Sequence, residues 1–161
     1  MGSLRKMPVV LLADDDADDR LLTQDAFAHG SLVCELRTVC DGVELFDYLL
    51  RRGKYAAPAV TPEPALILLD LNMPRMDGRE ALVRLRADET LRHIPVIVLT
   101  TSKSDDDIVG SYVAGSNSFI TKPVSFAGLV EAMRAVGHYW FDVVELPSGP
   151  QHDPIFRTYH S

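Results

Sequence analysis

Cysteine, histidine and basic residues are all scarce in this chain, and no apolar run is long. The two cysteines, Cys34 and Cys40, lack the Cys-x-x-Cys spacing of a redox pair or zinc site. They exclude a disulfide framework and read as reduced, structural residues. The five histidines are scattered, with no His-x-His or His-Glu-x-x-His arrangement, so a histidine metal centre has no support. Lysine and arginine number 16 against 23 acidic residues, a formal charge of −7. That balance argues against binding a nucleic-acid backbone and favours cations or basic surfaces. No segment has the length of a membrane span, and the charged opening with its short apolar sequel is not a signal peptide. A cytoplasmic protein of one ordinary domain is expected, 47% hydrophobic and long enough to bury a core.

What the chain does have is alternation. Short apolar runs at residues 9–13, 65–69 and 94–99 read as strands buried on both faces, the kind found in parallel sheets. Residues 32–39 and 118–121 give two further strands. Between and after them lie helical patterns. Asp16 caps a helix at 17–28 with Leu21, Leu22, Phe27 and Ala28 on its apolar side, and Gly30 ends it. Asp41 and Glu44 open a helix carrying Leu45, Phe46, Leu49 and Leu50. A third helix covers 79–87. A fourth runs from a capping box at Ser104 and Asp107 to Ala114, closed by Gly115. Ser125 caps the last, whose stripe of Leu129, Val130, Met133, Val136, Gly137 and Trp140 carries it to about Phe141. The Pro-rich connection 53–64 is long for a compact domain. Five strand–helix repeats specify an α/β fold, a doubly wound parallel sheet of flavodoxin-like order 2-1-3-4-5 with helices on both faces. Residues 1–141 make the domain and 142–161 a C-terminal tail.

In such a sheet the carboxyl ends of strands 1, 3, 4 and 5 converge, and ligands bind outside them. Asp14, Asp15 and Asp16; Asp70 and Asn72; Thr100, Thr101 and Ser102; and Lys122 meet there. Asp70 alone reads equally as a turn cap or as a reactive carboxylate. Three adjacent carboxylates repel one another, and one aspartate suffices for a helix cap, so the run favours a hard divalent cation. Mg2+ suits it, with Asp15 and Asp70 as direct ligands and Asp14 acting through water. An ammonium at Lys122 would stabilise a carboxylate that accepts a phosphoryl group, and Thr100 can donate a hydrogen bond to it. The bond before Pro123 can be cis, which would fix the direction of the lysine.

These residues resemble the receiver domain of bacterial two-component signalling. The matching motifs are Leu11-Leu12-Ala13-Asp14-Asp15, Leu68-Leu69-Asp70-Leu71-Asn72-Met73-Pro74 with Asp77-Gly78, Val98-Leu99-Thr100 and Lys122-Pro123, spanning about residues 8 to 136. The resemblance implies a phosphoryl group passed from a histidine kinase to Asp70. It also implies Mg2+ held by the acidic pair and by the backbone carbonyl of Asn72. Asp14 and Asp15 take the place of that pair, since Arg20 lies at the family's spacing from them, and Asp16 is left for the cap. Thr100 becomes the switch hydroxyl and Lys122 the cation, while Asn72 and Ser102 influence the lifetime of the phosphoryl group. The aromatic switch falls on Phe119 where many relatives have tyrosine, so a tyrosine hydroxyl bond is lost.

Asp47-Tyr48-Leu49, the Pro-rich loop, Leu99-Thr100-Thr101-Ser102-Lys103 and Tyr139-Trp140-Phe141 with Leu146-Pro147 resemble single-domain regulators paired with phytochrome-type histidine kinases. The expected output is altered protein association: a homodimer through the face formed by helix 104–114, strand 118–121 and the last helix. Trp140, Phe141, Val143 and Val144 would reinforce it, although the same tail can instead fold back on its own domain. Two rivals share the topology. A Mg2+-dependent phosphohydrolase using Asp70 as nucleophile would carry a second aspartate where Asn72 stands. A flavin module would carry a hydroxyl-rich loop where the three aspartates stand.

Overall fold

Short runs of Val, Ile and Leu, each ended by a polar residue, build the sheet. The structure is a computed structural model that describes residues 7–59, 61–100, 115 and 118–143. Strands β1 (Val9–Ala13), β2 (Glu35–Val39), β3 (Leu66–Leu69), β4 (Val96–Thr100) and β5 (Ser118–Thr121) form one sheet of order β2-β1-β3-β4-β5. Every pairing is parallel, as the strand–helix alternation requires. Helices α1 (Ala17–His29), α2 (Gly42–Leu49), α3 (Gly78–Ala87) and α4 (Phe126–Gly137) are the described helices, and α4 widens into a π-helical segment over His138–Val143. The expected helix at 104–114 lies outside the described residues. Among those residues, no helix is long and apolar enough to cross a membrane.

Because successive strand residues point to opposite faces, each strand supplies two cores. Leu11, Ala13, Ile67, Leu69 and Val98 pack under α2 and α3, while Val10, Leu12, Leu68, Ile97 and Leu99 pack under α1 and α4. The caps follow the local sequence: Asp16 accepts from the amides of Asp18 and Asp19, Asp41 from Glu44, Asp77 from Glu80 and Ser125 from Gly128. Glu44 completes its box by accepting the amide of Cys40 at 2.7 Å.

Three local expectations need correction. The inward face of α1 is Thr23, Ala26 and Phe27, whereas Leu21 and Leu22 are 57% and 44% exposed and Ala28 is also exposed. Thr23 can be buried because its hydroxyl donates to the Asp19 carbonyl at 2.9 Å, so the helix turns a nominally polar residue inward. Strand β2 begins at Glu35 rather than residue 32, after a turn in which Ser31 adopts φ 54°. Leu50 lies just past the end of α2, exposed, and Tyr48 is buried instead.

The Pro-rich connection is a surface element fastened to α2. It opens with a 3-10 turn at Gly53–Tyr55, and the Tyr55 hydroxyl donates to Glu44 at 2.6 Å. Further on, the Tyr48 hydroxyl donates to the Pro62 carbonyl at 2.9 Å.

Candidate functional site

Asp14 stands one residue beyond β1, fully buried, with its amide held by the Val39 carbonyl. One of its carboxylate oxygens accepts the Asp16 amide at 3.0 Å, and the other accepts Lys122 Nζ at 2.6 Å. Asp70 stands at the matching place after β3, buried, its amide donating to the Ala13 carbonyl at 3.0 Å. Its Oδ1 accepts the Asn72 amide at 3.0 Å, which leaves Oδ2 facing Lys122 Nζ at 3.6 Å. Gly78 is required directly beneath, because a Cβ there would run into the Asp70 carbonyl oxygen.

Asp14, Asp15 and Asp70 each offer a carboxylate oxygen, all within 4.8 Å of one another, with Asp15 exposed and the other two buried. An all-oxygen, multiply anionic set of this size fits a hard divalent cation and not a soft one. Asn72 is exposed next to the set, where the resemblance places a carbonyl ligand.

Lys122 enters from the end of β5 with its side chain only 10% exposed. Burial alone would lower its pKa, but the carboxylates of Asp14, Asp70 and Asp19 outweigh that and hold it well above the ordinary lysine value. Its ammonium points between the ends of β1 and β3. Thr100 ends β4 in register with Thr121, the residue before Lys122, so the backbone brings it to the same edge; its side chain is outside the described set. Phe119 is half-buried against the α2–α3 core, paired in register with Val98. Ser102 lies outside the described residues. Among those residues the cis peptide bond is Ala57–Pro58, so the Lys122–Pro123 bond is trans and the lysine is directed by its carboxylates instead.

Trp140 is the chief correction to the interface set. It is 9% exposed and packs with Leu129, Val130, Met133 and Val136 in the core under α1 and α4. Trp140 thus packs on its own domain, while Tyr139 beside it is exposed. The side chains of Phe141 and Val143, and all of Val144, lie outside the described residues.

Two contacts have no counterpart in the sequence reading. Asp19 accepts Lys122 Nζ at 3.0 Å. Arg75 is bound through Nε and Nη2 to the buried carboxylate of Asp41, the cap of α2, with the Nε contact at 2.8 Å. Burial would raise the Asp41 pKa, yet the Glu44 amide and Arg75 hold it below the usual carboxylate value. Arg75 has φ 65°, and the Met76 amide donates to the Pro74 carbonyl at 2.7 Å, a tight γ-type turn in the segment that follows Asp70.

A family model for the response regulator receiver domain matches residues 10–134. The chain belongs to the response regulator receiver family. Response regulator Rcp1 of Synechocystis is 36% identical over 140 residues, covering 87% of this chain and 93% of that protein. The phosphorylated cyanobacterial phytochrome response regulator RcpA superposes with a TM-score of 0.81 at 39% identity, over 89% of this receiver and 100% of that chain. Response regulator RPA3017, from red light signaling of R. palustris, gives 0.83 at 43% identity over 88% and 99%. The Mn2+-bound form of Rcp1 gives 0.78 at 35% over 88% and 99%. This receiver is a signalling domain closely similar to phytochrome-associated regulators, and the phosphohydrolase reading is not favoured.

Proposed function

We propose that the receiver takes a phosphoryl group onto Asp70 from a sensor histidine kinase of the phytochrome type, with Mg2+ as its cation. The observation that carries this is the arrangement around one carboxylate. Asp70 Oδ2 lies 3.6 Å from a lysine whose side chain is 10% exposed, with two further carboxylates within 4.8 Å. An Asp70 oxygen attacks phosphorus, the P–N bond of a phosphohistidine breaks, and the imidazole leaves. Lys122 balances the charge that accumulates on the phosphoryl oxygens, and Thr100 supplies a hydroxyl donor at the neighbouring strand end. Asp15, Asp70 and the Asn72 carbonyl would hold the cation, with Asp14 acting through water, and when bound it neutralises phosphoryl oxygens as a Lewis acid. Asn72, two residues after the acceptor, and Ser102 tune how long the group survives.

The similarity to phytochrome regulators supports a phytochrome-type kinase as donor and the cytoplasm as the place of work. Output is association with protein, including a second copy of this chain through the 104–114, β5 and α4 face. Phe141 at the end of the domain, with Val143 and Val144 of the 142–161 tail, contributes to that contact, and Phe119 is the switching aromatic.

Intact-mass spectrometry after incubation with Mg2+ and a small phosphodonor tests the central step. One added phosphoryl group is expected, lost in Asp70→Asn. An undiminished yield in that variant would remove Asp70 from the role.

A further inference from the structure

Lys122 has three carboxylates within reach, and its distances to them are unequal. Nζ is 2.6 Å from Asp14, 3.0 Å from Asp19 and 3.6 Å from Asp70, so the first two are hydrogen bonds and the third is not. The lysine therefore rests on the α1 side of the site, short of the carboxylate it serves. Asp14 is fixed at the end of β1 and belongs to the metal set. Asp19 belongs to neither strand end. It lies in the first turn of α1, its amide held by the Asp16 carboxylate at 3.2 Å and its carbonyl by the Thr23 hydroxyl at 2.9 Å. That backbone cannot follow the lysine if the ammonium moves.

We infer that Asp19 is a positioning residue that holds Lys122 off Asp70 in the resting receiver and releases it on phosphorylation. The inference rests on Asp70 being the acceptor. A phosphoryl group brings about −1.5 to −2 charges to Asp70, drawing the ammonium toward it. One of the two present hydrogen bonds must then yield. The side chain of Asp14 is fully buried, and leaving its second oxygen unpaired is costly, whereas that of Asp19 is 36% exposed and can be rehydrated. Asp19 is thus the exchangeable partner. Its pair with Lys122 opposes the phosphorylated state, so removing it favours that state, opposite to what loss of a merely supporting contact would do.

The test compares binding of beryllofluoride, a phosphoryl mimic, to the full chain in Mg2+ by isothermal titration calorimetry. Asp19→Asn and Asp19→Ala are compared with wild type and with Asp18→Asn. Asp18 is an exposed carboxylate in the same turn and is not among those reaching Lys122, so its variant reports the general effect of removing one negative charge. Both Asp19 variants are expected to bind about fivefold more tightly than Asp18→Asn, the scale of a partly exposed ion pair. Thermal melts confirm that each variant is folded, and either Asp19 variant suffices if the other is not. Affinity equal to or weaker than that of Asp18→Asn overturns the inference. Failure of wild type both to bind the mimic and to accept a phosphoryl group overturns the reading of Asp70 itself.

Discussion

Lys122 and Asp14 depend on each other because neither has ready access to water. With Asp14 fully buried and the lysine side chain 10% exposed, removing the cation leaves a buried anion beside two others. Lys122→Met is accordingly expected to destabilise the metal-free protein by about 3–5 kcal/mol, the scale of breaking a buried pair from one side. Added Mg2+ should recover part of the loss, since a cation in the acidic set meets the same need. Urea unfolding with and without Mg2+ measures both effects, and a midpoint unchanged from wild type in both conditions would show that Asp14 does not rely on Lys122. A second carboxylate tests the linkage of charge to pH. Burial would raise the Glu44 pKa, but the Tyr55 hydroxyl, Lys54 and Cys40 hold it down at about 2 from an ordinary 4.5. A depressed folded-state pKa stabilises above the unfolded value and is lost as pH falls through the folded one. Wild type should therefore lose this contribution between pH 4.5 and about 2. Glu44→Gln should show a shallower fall in stability over that window. Parallel acid-unfolding curves for the two proteins would contradict the assignment.

Elements are placed by contacts as close as these. Helix α3 approaches the acceptor loop so nearly that Gly78 has no room for a Cβ against the Asp70 carbonyl, and Gly42 at the start of α2 would bring a Cβ to 2.6 Å from the Met76 carbonyl oxygen. Gly78→Ala is expected to displace the acceptor loop, cost about 1–3 kcal/mol as an overpacked site does, and lower the phosphoryl yield by mass spectrometry. Gly53→Ala is the contrast: it has space for a Cβ at φ 57° and does not touch the Asp70 backbone, so its backbone strain should leave that yield unchanged. This level of structure was largely legible in the sequence. Apolar runs ending in polar residues marked the strands, and Asp-x-x-Glu marked α2. The same signal at Asp77-Gly78-Arg79-Glu80 marks α3 one residue earlier than a reading from the apolar spacing. The inward face of α1 was not legible, because Leu21 and Leu22 outrank Thr23 in hydrophobicity and only the Asp19 carbonyl makes Thr23 fit to bury. At the site, Asp14, Asp15, Asp70 and Lys122 were legible because strand ends converge in any parallel sheet of this order. Asp19 and Arg75 were not, since their partners lie 103 and 34 residues away and are chosen by side-chain reach.

At the scale of the whole molecule, Trp140 completes the core beside the residues proposed for the dimer contact. As an interface residue it would be exposed in a single chain, yet it is buried with Met133 and Val136 under α1 and α4. Trp140→Ala should therefore cost about 3–5 kcal/mol within one chain, as large-to-small substitutions of buried aromatics do. The lowered melting temperature should appear at protein concentrations where sedimentation shows a monomer. Phe141→Ala and Val144→Ala should behave differently if the tail joins two copies: weaker association by sedimentation, with the melting temperature of the dilute monomer unchanged. The distinction follows from mass action, because a contact between chains stabilises only where the chains meet, while a contact within one acts at any concentration. A Trp140→Ala protein that melts like wild type when dilute but fails to associate would move the tryptophan out of the core and return the end of the chain to the interface.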